Sequence, residues 1–325
     1  MKNEKNFEKI AVLTSGGDAP GMNAAIKAVV MLGTKHNYEV YGVKDGYFGL
    51  YYNQIELLKP ESLGRIINVS GTFLGTSRFL PFQNDLKVRQ VCAKNLTDLG
   101  ISKLVVIGGD GSYRGAVKLD ELGIQCVGIP ATIDNDVNST DYTIGFSTAL
   151  NNIVDAIEKL RDTSISHRRC SIIEVMGRYK GDLALYGGLA GGVDMLITKE
   201  NLLDKQNIFD KVKTLYKNNK RHVIIVVTEH IFAVNELAKE VEKYSGFETR
   251  AQVLGHMQRG GAPTAEDLIL ANRMGNYAVE LLTKNIHNCG IGIQGNKLNH
   301  IKFKSIFDQP YVKNNFFDLF QKINQ

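Results

Sequence analysis

Leu104-Val-Val-Ile-Gly-Gly-Asp-Gly-Ser112 is an apolar run that empties into a glycine-rich turn. The aliphatic residues predict a buried strand over 104–107, and a helix is predicted over 113–122, with Gly115 near its start. The same unit recurs along the chain. Further strands are predicted at 9–14, 39–43, 125–129, 171–175, 222–228 and 248–254. Further helices are predicted at 22–32, 86–99, 148–162, 182–190, 234–244 and 265–282. Strands that are apolar throughout are covered on both faces, as in parallel sheets. Strand alternating with helix is the pattern of an α/β fold.

A chain of 325 residues suggests about two such domains. A break is expected near Gly145, where the first glycine loops end and a long helix begins. The net charge of +5 comes without a lysine or arginine cluster, so no nucleic-acid surface is expected. It fits either a solvated surface or arginines that meet anionic small molecules. The longest aliphatic run, Val223-Ile-Ile-Val-Val227, is far too short to span a bilayer, so no membrane partner is expected. Residues 1–9 carry charges but no apolar core, which argues against a signal peptide. Cys92, Cys126, Cys170 and Cys289 lie at no metal-ligand or redox spacing. Cys126 and Cys170 fall in or beside apolar strands and are expected as buried thiols, which suits a reducing cytoplasm.

Three loops could carry chemistry. Thr14-Ser-Gly-Gly-Asp-Ala-Pro-Gly-Met-Asn23 links a strand to a helix. Gly16 and Gly17 let backbone N–H groups approach a ligand, and the helix start behind them favours anions. Tight turns use the same residues, and the loop is neither a Walker A sequence nor a G-x-G-x-x-G fingerprint. In Gly108–Ser112 an acidic residue sits among glycines. Asp110 beside a polyphosphate makes sense with Mg²⁺ between them, since Mg²⁺ is commonly held by one or two carboxylates plus substrate phosphates. Pro130-Ala-Thr-Ile-Asp-Asn-Asp136 follows the run Cys126-Val-Gly-Ile129, which Pro130 is expected to stop. Asp134 and Asp136 then stand past the carboxyl end of a strand, where ligands bind in open α/β sheets. A carboxylate there can take a proton from an attacking hydroxyl. The alternative is an Asx-rich turn.

Arg78, Arg169, Arg178, Arg250 and Arg259 recur at loop positions, and Gly255-His-Met-Gln-Arg-Gly-Gly261 sets His256 and Arg259 between glycines. Guanidinium groups bind phosphate through a planar fork. Glu229 ends a strand, where a carboxylate can accept from sugar hydroxyls.

Taken together, Thr14–Asn23, Gly71-Thr-Phe-Leu-Gly75, Gly108–Ser112, Pro130–Asp136, Val175-Met-Gly-Arg178, Thr228-Glu-His230 and Leu254–Gly261 resemble the bacterial ATP-dependent 6-phosphofructokinases. The resemblance runs over roughly 10–294, and the last thirty residues match poorly. It implies two Rossmann-like three-layer α/β/α domains with mostly parallel sheets. The ATP-binding domain would be 1–145 completed by about 258–308, and the fructose 6-phosphate domain 146–257 completed by about 309–325. It implies a cytoplasmic, glycolytic homotetramer that moves the γ-phosphoryl of MgATP to the 1-hydroxyl of fructose 6-phosphate, releasing ADP. Asp134 would be the general base, Asp136 its electrostatic neighbour and Thr132 a group near the transferring phosphoryl, with Arg178 and Gly17 in the catalytic set. Gly17, Arg78, Phe79, Asp110, Gly111, Ser112 and Gly115 would bind ATP, Asp110 through Mg²⁺. Thr132, Asp134, Asp136, Met176, Gly177, Arg178, Glu229, His256 and Arg259 would bind fructose 6-phosphate, with Arg169 and Arg250 reaching across a subunit interface.

The family also has an allosteric site for ADP or phosphoenolpyruvate. Lys27, Arg161, Asp194, Lys220, Arg221 and His222 fall at its positions. However, Lys27 replaces an arginine, Met31 and Pro60 stand where arginines are expected, and Asn218 stands where a lysine is expected. Weakened or altered control is therefore expected, the alternative being drift compensated by nearby lysines such as Lys59.

Pyrophosphate-dependent relatives carry Asp and Lys where this chain has Gly111 and Ala131, so ATP is favoured. An NAD kinase would share Gly-Gly-Asp-Gly without the later motifs, and an oxidoreductase would need the absent dinucleotide fingerprint. A non-catalytic sugar-phosphate sensor would be expected to have lost Asp110 or Asp134, and neither is lost.

Overall fold

The computed structural model describes residues 7–138, 140–178, 180–309 and 316–324. Its strands are β1 (Glu8–Ser15), β2 (Tyr38–Val43), β3 (Ile55–Leu57), β4 (Ile101–Gly108), β5 (Gln125–Pro130), β6 (Arg169–Val175), β7 (Met195–Ile197), β8 (Val223–Thr228), β9 (Glu248–Val253), β10 (Cys289–Gln294) and β11 (Lys297–Lys302). The described residues of Met1–Thr132, Asp136–Ser147 and Arg259–Pro310 form one compact unit. Those of Ile133–Asn135, Thr148–Gln258 and Tyr311–Gln325 form a second. The sequence reading kept 1–145 together, whereas Ile133–Asn135 goes with the second unit. There the buried Asn135 donates through Nδ2 to Oδ2 of Asp182 at 3.1 Å.

The first unit holds a seven-stranded sheet in the order β11-β10-β5-β4-β1-β2-β3. Its five central strands run parallel, and β3 and β11 close the edges antiparallel. Alternate residues of a strand serve opposite faces. Ala11, Leu13, Leu104, Val106 and Cys126 pack with the helices Gly46–Tyr51, Leu86–Asp98, Asp110–Asp120 and Phe303–Asp308. Ile10 and Val40 meet the helix Met22–Lys35 on the other face, at Gly33. Helix Ala265–Thr283 packs beside it, and a Cβ on Gly275 would lie 2.6 Å from Cβ of Ala28.

The second unit holds a wholly parallel sheet, β7-β8-β6-β9. Cys170, Ile172, Ile225 and Val227 pack with the helices Lys205–Lys217 and Val234–Ser245. Helix Phe146–His167 covers the other face, where Ser164 Oγ and Ser171 Oγ lie 2.7 Å apart. Helix Asp182–Ala190 packs on it through Gly187 and Ile153. Each unit is thus helix, sheet, helix, the three-layer arrangement expected.

Several details differ from the sequence reading. The predicted helix 113–122 begins at Asp110, so Asp110, Gly111 and Ser112 form its first turn. β5 ends at Pro130, as expected, but Pro130 is itself the last residue of the strand. It pairs with Gly108, its carbonyl accepts from Ile144 N at 3.0 Å, and Ala131 N donates to Gly108 O at 3.1 Å. Proline forfeits only a donor, and the ladder here uses its acceptor. β3, β7, β10 and β11 were not predicted, nor were the helices Gly46–Tyr51, Leu80–Asn84, Lys205–Lys217, Phe303–Asp308 and Phe316–Ile323.

All four cysteines are free and buried. Burial pushes the Cys92 thiol up to about 12 and that of Cys289 to about 11, so these are packing groups rather than nucleophiles. No helix of the described residues is long and apolar enough to cross a membrane.

Candidate active site

In the first unit, the ends of β1 and β4 build one glycine-rich surface. Ser112 Oγ donates to Ser15 O at 2.9 Å, which ties the two loops together. Gly108 permits this contact, since a Cβ there would lie 2.4 Å from both Ser15 O and Ser112 Oγ. Gly16 and Gly17 are exposed above it. The Arg259 guanidinium lies across Gly17, and its Nη1 donates to Asp18 O at 2.7 Å. Asp110 opens the next helix and pairs with Arg114 Nε at 2.9 Å. A Cβ on Gly111 would meet nothing within 4 Å. Gly115, by contrast, is enclosed: a Cβ there would lie 2.6 Å from the Tyr47 ring, whose hydroxyl donates to Ser112 O at 2.7 Å. Arg78 is exposed, and Phe79 packs edge-on against Phe48 with centroids 5.6 Å apart.

Thr14 and Asn23, the two ends of the first glycine loop, strap down the segment Gly71–Gly75. Thr14 Oγ1 donates to Gly75 O at 2.7 Å, and Asn23 Oδ1 accepts from Phe73 N at 2.6 Å. Both side chains are buried.

The loop after β5 is where the chain passes from one unit to the other. Thr132 and Asp136 belong to the first unit, Asp134 to the second. Thr132 O accepts from Thr143 Oγ1 at 2.6 Å. Asp134 is 4% exposed, and Asn135 beside it takes a left-handed backbone, φ 51°. Asparagine tolerates that conformation better than most residues.

In the second unit, the carboxyl ends of β6, β8 and β9 converge. Glu229 Oε1 accepts from Arg178 N at 2.9 Å, and Gln258 Oε1 accepts from Met176 N at 3.2 Å. Gly177 and Arg178 both have positive φ, 141° and 56°. His256 is exposed on the turn after β9. Burial and the neighbouring Glu229 push the Glu174 carboxyl above its ordinary range.

Arg169 and Arg250 stand apart from this convergence. Arg169 opens β6 and Arg250 lies inside the edge strand β9. Both pair with Glu248, Arg169 Nη2 at 2.9 Å. The Arg169 hydrogen bond comes first among the causes that hold Glu248 below the usual carboxylate range.

Four of the residues matched to the allosteric site cluster in the second unit. Arg161 Nη1 lies 3.3 Å from His222 Nε2. Asp194 pairs with Lys220 and accepts from Ile224 N at 2.8 Å. Burial lowers the pKa of His222, and Arg161 and Lys220 add to that against Asp194. Arg221 reaches Ile165 O at 3.5 Å. Lys27 lies in the first unit and donates to Gly64 O at 3.1 Å, and Met31 is 49% exposed.

Gln258, Tyr47, Thr14 and Asn23 were not singled out in the sequence as functional residues. Gln258 stands inside the quoted glycine loop, but nothing in the sequence tells a buried amide from an exposed one.

Residues 9–282 match the family described as phosphofructokinase. An ATP-dependent 6-phosphofructokinase of Photobacterium profundum is 55% identical over 90% of this chain and 92% of its own length. The solved phosphofructokinase of Saccharomyces cerevisiae superposes with a TM-score of 0.86 at 31% identity. It covers 98% of this chain, which spans 47% of the yeast chain. A pyrophosphate-dependent phosphofructokinase of Marinobacter aquaeolei has the same fold, TM-score 0.85 at 22% identity over 98% of this chain and 91% of its own. The chain belongs to the phosphofructokinase family.

Proposed function

We propose that the chain is an ATP-dependent 6-phosphofructokinase. It transfers the γ-phosphoryl of MgATP to the 1-hydroxyl of D-fructose 6-phosphate, giving fructose 1,6-bisphosphate and ADP, as a cytoplasmic homotetramer in glycolysis. The observation that carries the reading is the start of the helix Asp110–Asp120. A helix N-terminus with open space at Gly111 and exposed glycines beside it suits a polyphosphate.

Phosphoryl transfer asks the protein chiefly for positioning and charge stabilisation. In the first unit Gly17, Gly111 and Ser112 line the phosphate surface, and Arg78 and Phe79 receive the rest of the nucleotide. Gly115 acts by admitting Tyr47 beneath the loop. Among the described residues no three of His, Cys, Asp and Glu cluster as a metal cage. Asp110 still fits Mg²⁺, because one partly exposed carboxylate with substrate phosphates suffices. Mg²⁺ would neutralise phosphate charge there once Asp110 leaves Arg114. Asp134 takes the proton of the attacking 1-hydroxyl. Thr132 and Asp136 flank the transferring group, and Arg178 offsets its charge. Met176, Gly177 and Glu229 seat the sugar, Glu229 with the oxygen not accepting from Arg178 N. His256 and Arg259 hold the 6-phosphate, with Arg169 and Arg250 supplied by a neighbouring copy. A coupled assay of purified protein with fructose 6-phosphate and either ATP or pyrophosphate tests the proposal. Turnover with pyrophosphate alone would overturn it.

The choice of donor has its own test. Gly111→Asp adds a Cβ that meets nothing within 4 Å, in a helical first turn where a carboxylate is favourable. Thermal stability should therefore hold. Placing like charge beside the phosphates costs several kcal/mol, so the KM for ATP should rise at least about tenfold. An unchanged KM would remove Gly111 from the nucleotide site.

Allosteric control is expected to be weak. Each hydrogen bond to a charged group contributes about 1.5–3 kcal/mol, so losing two of the family's cationic partners weakens effector binding about a hundredfold or more. Fructose 6-phosphate saturation should then change little with millimolar phosphoenolpyruvate or ADP. Strong inhibition by the first, relieved by the second, would refute this.

A further inference from the structure

We infer that Gln258 is a positioning residue for the sugar-phosphate side of the reaction, an inference that rests on the function proposed above. Its side chain is fully buried, with 0% exposure. Oε1 accepts from Met176 N at 3.2 Å, and Nε2 donates to Gly255 O at 2.9 Å. One carboxamide therefore spans the turn after β6 and the turn after β9. The first turn carries Met176, Gly177 and Arg178; the second carries His256. The Gln258 backbone is held in turn, since its carbonyl accepts from Asn152 Nδ2 at 3.3 Å.

Both turns need such a tie. Gly177, Arg178 and Gly255 have φ of 141°, 56° and 51°. A non-glycine residue such as Arg178 persists in that region only when its surroundings fix it. Glu229 fixes Arg178 N, and Gln258 fixes the residue two before it. Glutamine can accept from the one turn and donate to the other at this reach. Ionised glutamate lacks the donor for Gly255 O, asparagine is a methylene short, and methionine makes neither bond. A buried donor or acceptor left unpaired costs its full desolvation, so the turn would move rather than remain. Small misplacements of substrate-holding groups have large kinetic consequences.

The test compares Gln258→Met and Gln258→Glu with the unaltered chain. Gln258→Met should raise the KM for fructose 6-phosphate roughly tenfold or more while the KM for ATP stays within about twofold. Gln258→Glu keeps the acceptor for Met176 N and should fall between. Hydrogen exchange at the Met176 amide, which needs no activity, should quicken at least about tenfold in Gln258→Met. If Gln258→Met does not fold, Gln258→Glu carries both measurements. An unshifted KM for fructose 6-phosphate, a parallel rise for both substrates, or unchanged exchange would overturn the positioning role. An unaltered chain that fails to phosphorylate fructose 6-phosphate would overturn the proposed function instead, and the exchange measurement then decides the role of Gln258 alone.

Discussion

Asp134→Asn should lower the turnover of fructose 6-phosphate phosphorylation by about 10²–10⁴-fold, the usual contribution of a general base. Binding of fructose 6-phosphate should be nearly unchanged. Asparagine keeps the shape of the side chain and removes its capacity to accept a proton at neutral pH. The neighbouring backbone is fixed independently, by Asn135 in its left-handed conformation and its bond to the buried Asp182. The substitution should therefore subtract chemistry and leave structure. Steady-state kinetics with calorimetric titration of fructose 6-phosphate separates the two. A variant that keeps most of its turnover would show that another group takes the proton.

The second large effect is recovery of activity on mixing two impaired chains. Arg169→Ala and His256→Ala should each be severely slowed. Arg169 opens β6 opposite Glu248, the first residue of the parallel strand β9, while His256 lies past the far end of β9, so about 17 Å of strand lies between them at 3.3 Å per residue. Two groups so placed in one chain cannot grip one phosphate. If both serve the fructose 6-phosphate site, as the family resemblance implies, they come from different copies. In randomly reassembled symmetric oligomers, roughly a quarter of sites would join an intact His256 to a neighbour's intact Arg169. Activity should rise toward that fraction after dissociation and reassembly. Hybrids no more active than their parents would place both groups in one chain's site, or remove Arg169 from it.

The central strands were readable because their residues are apolar on both faces, as in Val223–Thr228, and they end in glycine or acidic turns. The rest was hidden for physical reasons. β3 and β7 have three residues each, too few for any periodicity. β10 reads Cys-Gly-Ile-Gly-Ile-Gln, where glycine at alternate positions erases the hydrophobic pattern. Helix Lys205–Lys217 buries only Ile208, Phe209 and Val212, so its apolar stripe is thin. Of the residues proposed for the site, those that announce themselves by charge, such as Asp110, Asp134 and Arg178, could be singled out in the sequence. Those that act through buried hydrogen bonds were not, because Gln258 and Asn23 look like any surface amide until the chain around them is folded. The pairing of Arg169 and Arg250 on Glu248 was equally hidden, since it depends on the register of two neighbouring strands.

Tyr113 follows the turn Gly108–Ser112 directly, and its ring rests where two side chains are missing. A Cβ on Gly128 would lie 2.4 Å from Cε1 of Tyr113, and one on Gly290 would lie 2.7 Å from Cε2. These glycines face each other on β5 and β10. The ring is thus a peg in a notch cut from two strands, and the notch sets how deep the helix Asp110–Asp120 sits on its sheet. A methyl group added at either strand position would lift the helix, and with it the turn proposed to hold the nucleotide. Residues 113, 128 and 290 form a single mechanical part spread over three places in the chain, so none of them can be redesigned alone.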